Sequence, residues 1–65
     1  MIFVPCKNLP GSFDGYLDQA ELEGKWTAVR LMNLGSGYVV QTQGRFIFSS
    51  EELQQIIDKL NELRK

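Results

Sequence analysis

The sequence predicts a small α+β domain in which an antiparallel sheet, a β-meander of about three strands, packs against one C-terminal amphipathic helix. Three observations predict it. Residues 25–33, "KWTAVRLMN", and 38–48, "YVVQTQGRFIF", are rich in β-branched and aromatic residues and are joined by "LGSG", which carries the glycines of a tight hairpin. The stretch "SSEELQQIIDKLNELRK" opens with a capping signal and continues with apolar residues at helical spacing. Finally, 65 residues with 43% hydrophobic and 23% charged side chains suit a single folded domain, 1–65, with one thin core.

In chain order, "MIFVPC" reads as a short strand, and Pro5 suggests an edge position because it cannot donate to a neighbouring strand. Residues 7–24 are the least readable. "NLPGSFDG" is turn chemistry, and "YLDQAELEG" suits either a helical turn or a ragged strand. Residues 14–23 hold Asp14, Asp18, Glu21 and Glu23 with no base, whereas 24–50 hold Lys25, Arg30 and Arg45 before any acid appears.

With Gly35 and Ser36 at the hairpin centre, Asn33 faces Tyr38, Leu31 faces Val40 and Val29 faces Thr42, all on one side of the sheet. Arg30 then lies opposite Gln41, Met32 opposite Val39 and Ala28 opposite Gln43 on the other side, with Trp26. The second hairpin strand is expected to be long and bent. Running from 38 to 48 with a bend at Gly44, it keeps Phe46 and Phe48 beside Tyr38 and Val40. The rival is a second turn at residues 43–44, which sends both phenylalanines to the Trp26 side.

The helix is expected to begin at about Ser50. Ser49 and Glu52 form a capping box, and Phe48 and Leu53 are spaced for a hydrophobic staple. Leu53, Ile56, Ile57, Leu60 and Leu63 make one apolar stripe, which suits packing on the sheet, with pairing to a second helix as the alternative.

Catalysis has little to work with. Histidine is absent, and the single cysteine, Cys6, sits in an apolar strand, so it reads as a structural thiol rather than a nucleophile. The four acidic residues lack the spacing of a calcium loop, and "GSG" lacks the lysine and following helix of a phosphate loop, so neither metal nor cofactor is expected. A lone cysteine supplies no disulfide, which fits a reducing, cytoplasmic setting, and no run is long and apolar enough for a signal peptide or a membrane span.

What remains is the mixed side of the hairpin: Trp26, Arg30, Met32, Val39, Gln41, Gln43 and Arg45. If the helix covers the opposite side, this surface faces solvent, and its aromatic, guanidinium, amide and apolar groups are the mixture found at recognition surfaces. If residues 1–20 close over it, Trp26 and Met32 form a second small core instead. The expected function is a non-enzymatic protein-binding module, through self-association or through regulatory or inhibitory binding to a larger protein. In the inhibitory form, Asp14, Asp18, Glu21 and Glu23 supply electrostatic attraction. The alternative is single-stranded nucleic acid binding, with Trp26 stacking on bases, aided by Tyr16 or Tyr38, while Lys25, Arg30 and Arg45 follow phosphates. Three cations release only about three counterions, which makes for weak binding alone.

Overall fold

The computed structural model describes residues 1–43 and 47–64. Its elements are β1 (Ile2–Pro5), β2 (Phe13–Tyr16), α1 (Gln19–Glu23), β3 (Val29–Asn33), β4 (Tyr38–Thr42) and α2 (Ser50–Leu63). The strands form one antiparallel meander in the order β1-β2-β3-β4, four strands rather than about three.

The additional strand is β2, "FDGY", drawn from the segment whose turn chemistry masked it. Asp and Gly are poor strand formers, yet Gly15 is required by its neighbours. It pairs with Phe3 on one side and Val29 on the other, and a Cβ built there would lie 2.6 Å from Val29 Cγ1 and 2.9 Å from Phe3 Cε1. The two bulky side chains thus occupy the space above the glycine.

The hairpin of β3 and β4 has the register read from the sequence: Asn33 opposite Tyr38, Leu31 opposite Val40, Val29 opposite Thr42, Arg30 opposite Gln41 and Met32 opposite Val39. Gly35 has φ +86°, and Ser36 keeps a negative φ, the sign pattern of a type II′ turn. Asn33 Oδ1 accepts from the Gly35 amide at 2.7 Å and steadies the reversal. β4 ends at Thr42, and Ile47 and Phe48 are not in a strand. The expected bend at Gly44, its rival turn at 43–44, and the placement of Phe46 involve residues outside those described.

Helix α2 starts at Ser50, as its capping box requires. Ser49 Oγ accepts from the Glu52 amide at 3.1 Å, and Glu52 Oε1 accepts from the Ser49 amide at 2.7 Å. Ile56 is buried against Val29 and Leu31, with Met1, Phe3, Phe13, Tyr38, Phe48, Leu60 and Leu63 partly buried around them. Burying one such side chain stabilises by roughly 1.5–3 kcal/mol, so these few contacts weigh heavily in a domain this small. Phe48 joins the core, but Leu53 and Ile57 stay half exposed.

Contacts on either side of α2 orient it. The Met1 amino group donates to Gln55 Oε1, and Lys59 Nζ lies 4.6 Å from the Phe13 ring centroid, so this flank faces β1 and β2. Leu60 and Arg64 line a hollow with Ser36, Gly37 and Tyr38, so the other flank faces β4.

Gly15→Ala is expected to lower stability by about 1–3 kcal/mol through overpacking against Phe3 and Val29. Urea unfolding followed by circular dichroism should show a lower midpoint at unchanged slope; an unchanged midpoint would contradict the tight packing of β2.

Candidate functional site

α2 takes one face of the sheet. Because side chains alternate along a strand, the opposite face carries Val4, Asp14, Tyr16, Arg30, Met32, Val39 and Gln41. The link between β2 and β3 covers one end of it. Tyr16 is buried and Ala28 fully so, α1 packs near β2, and Thr27 Oγ1 donates to Tyr16 Oη at 3.5 Å. Beyond that end the face is open: Val4 and Met32 are half-buried, and Val39 and Gln41 are exposed.

The middle row of this face runs Val4, Asp14, Arg30, Gln41 across all four strands. Arg30 Nε donates to Asp14 Oδ1 at 2.8 Å, a cross-strand ion pair. That hydrogen bond, then the charge of Asp14, holds the guanidinium proton more firmly than usual. Cys6 adjoins the pair. Burial first, and then hydrogen bonding and charge from Asp14, push its thiol above the ordinary value, with Arg30 opposing. A protonated thiol is a poor nucleophile, which agrees with a structural role.

Trp26 departs from its expected place. Instead of continuing β3, it follows a Schellman turn that ends α1: its amide donates to Glu21 O at 2.9 Å, and the Lys25 amide donates to Leu22 O at 3.1 Å. Lys25, not Gly24, takes the left-handed position, with φ 57°. The indole, half exposed, lines a shallow hollow with Ala20, Glu21, Gly24 and Lys25. The segment that makes this turn is "EGKW"; its last two residues read as the start of the strand 25–33, because glycine, the usual signal of the left-handed position, stands one residue earlier.

Of the predicted site residues, Arg30, Met32, Val39 and Gln41 therefore share one open face, and Gln43, exposed, follows the end of β4 with its amide donating to Ala28 O. Val4, missed because β2 was not recognised as the strand linking β1 to the hairpin, belongs with them. Arg45 lies outside the described residues. The acidic residues do not act as a cluster: Asp14 pairs with Arg30, Asp18 caps α1 by accepting from the Glu21 amide at 2.9 Å, Glu21 Oε1 is buried without a hydrogen-bond partner, and Glu23 is exposed. Among the described residues, no group of three potential ligands stands together for a metal ion. Nor is any described helix long and apolar enough to cross a membrane.

Set against protein-family models, curated proteins and solved structures, the chain matches none. The functional reading therefore rests on the side chains alone.

The geometry also constrains the nucleic acid reading. A paired Arg30 offers a phosphate backbone little net charge, Tyr16 is buried, and Tyr38 Oη donates to Gly11 O at 3.2 Å beside the α2 hollow, on the face away from Arg30.

Alkylation of Cys6 should follow a pH profile shifted upward from that of a free thiol, since burial and Asp14 both disfavour the thiolate. Asp14→Asn should move the profile down, because it removes a negative neighbour and leaves Arg30 uncompensated. A profile unchanged by that substitution would contradict the grouping of Cys6, Asp14 and Arg30.

Proposed function

We propose that the chain is a non-enzymatic, regulatory binding module that takes a protein partner on the sheet face opposite α2, in the reducing cytoplasm. The observation that carries this reading is the composition of that face. Apolar Val4, Met32 and Val39 and the amide of Gln41 surround an ion pair that is already satisfied within the chain. An internally neutralised pair can be covered by a partner without leaving a charge stranded, and methionine and valine beside it supply adaptable apolar area. The sequence has no histidine, and burial and Asp14 disfavour the thiolate of Cys6, which favours binding over turnover.

Site-directed photo-crosslinking tests this in cells that express the protein. A photoreactive residue at Gln41 should give a discrete adduct with another protein, one at Asn61 on the exposed side of α2 should not, and Met32→Asp should abolish the Gln41 adduct. Trp26 fluorescence should stay flat when a mixed-sequence single-stranded oligonucleotide is added at low salt. Equal adducts from both positions, or quenching that saturates and is reversed by salt, would overturn the reading, the latter in favour of nucleic acid.

A further inference from the structure

The two edges of the sheet differ. β1 contains Pro5, which has no amide hydrogen to offer, whereas residues 38–43, "YVVQTQ", include neither proline nor charge, the devices that usually guard an exposed edge. The hydrogen-bond pattern shows what this edge presents. The Leu34 amide donates to Gly37 O at 2.9 Å and the Gln43 amide to Ala28 O at 3.2 Å. Bonded pairs in an antiparallel ladder recur every second residue, so Val39 and Gln41 turn their backbone groups toward β3. Tyr38, Val40 and Thr42 turn theirs outward, and among the described residues these groups have no backbone partner.

The same edge gathers exposed apolar side chains. Val39 and Val40 are 43% and 42% exposed, one on each face of β4, and Leu53 and Ile57 are each 48% exposed. Positions 53, 57, 60 and 64 form one helical stripe, and since Leu60 and Arg64 meet the Ser36–Tyr38 region, Leu53 and Ile57 lie on the flank of α2 that faces β4.

We propose that β4 is a strand-addition edge whose occupant is β4 of a second copy of this chain, paired antiparallel about Val40. The arrangement is self-complementary. With the two-fold axis normal to the sheet at Val40, Val40 meets its own counterpart and Tyr38 meets Thr42 of the second copy, so each outward amide finds an outward carbonyl. The four-stranded sheet becomes a continuous sheet of twice that width, with both α2 helices on one side and antiparallel. Charge favours this partner: Glu51 and Glu52 in the first turn of α2 then lie at the same end as Arg64 of the other copy. Val40 and Ile57 lose exposure as the apolar floor is extended beneath them, a gain that matters in a domain with so small a core. This proposal uses the edge and the α2 flank and does not rest on the face reading; a pairing through β4 leaves Arg30 and Met32 accessible.

Sedimentation equilibrium of the full chain from micromolar to millimolar concentration, with hydrogen exchange resolved by amide, tests it. The mass should rise from 7.4 kDa to twice that value, and the Tyr38, Val40 and Thr42 amides should become protected with concentration. Thr42→Pro removes an outward amide without touching the β3 ladder, and Ile57→Lys places a charge on the α2 flank; each should weaken association by about tenfold or more. Met32→Asp on the open face should leave association unchanged, which separates failure of this proposal from failure of the face reading. A monomer at every concentration, or a dimer that Ile57→Lys does not weaken, would overturn the proposal, and that variant decides alone if Thr42→Pro does not fold.

Discussion

The contact of Ile56 with Val29 and Leu31 governs the arrangement of the whole chain. These three residues are the buried centre of the helix–sheet packing, and the other described apolar side chains packed against them are only partly covered. A helix that must sit over β3 to bury Ile56 touches both edges of a four-stranded sheet without covering both fully. Its β1-facing flank is finished by polar and cationic contacts, Gln55 to Met1 and Lys59 over Phe13, while the β4-facing flank leaves Leu53 and Ile57 half exposed. The open edge therefore follows from where the single helix has to sit.

The opposite face follows from the same constraint. One helix covers one face, and among the described residues no second layer spans the other. α1 and the residues after it close only the end where Tyr16 and Ala28 are buried. The remainder must tolerate water, which explains an ion pair between Asp14 and Arg30 in the middle of the sheet, where a sandwiched face would carry only apolar residues. A pair that tolerates water and is neutral as a unit also makes the face compatible with burial by a protein partner.

Legibility in the sequence tracked how local each cause was. The capping box at Ser49 and Glu52 and the hairpin register around Gly35 depend on residues a few positions apart, and both appear as read. β2 was hidden because its reason for being a strand is long-range: Gly15 is needed by Phe3 and Val29, neither of which is near it in sequence. Trp26 was misplaced for a subtler cause. Its strand-like surroundings suggested continuity with β3, but α1 ends in a Schellman turn with Lys25 in the left-handed position, a place where glycine is the usual signal. The candidate face was legible in Arg30, Met32, Val39 and Gln41 because alternation alone assigns it, whereas the neutralisation of Arg30 by Asp14 required knowing that β2 exists.

A one-sided core makes a residue-level statement about water. Methyl NMR of the dilute protein, with a soluble paramagnetic agent added, measures solvent access at each apolar side chain. The Met32 and Val39 methyls should broaden strongly, while those of Val29, Leu31 and Ile56 should be spared. Equal protection of Met32 and Ile56 would mean that the second face is closed by the chain itself, and would contradict the one-sided core.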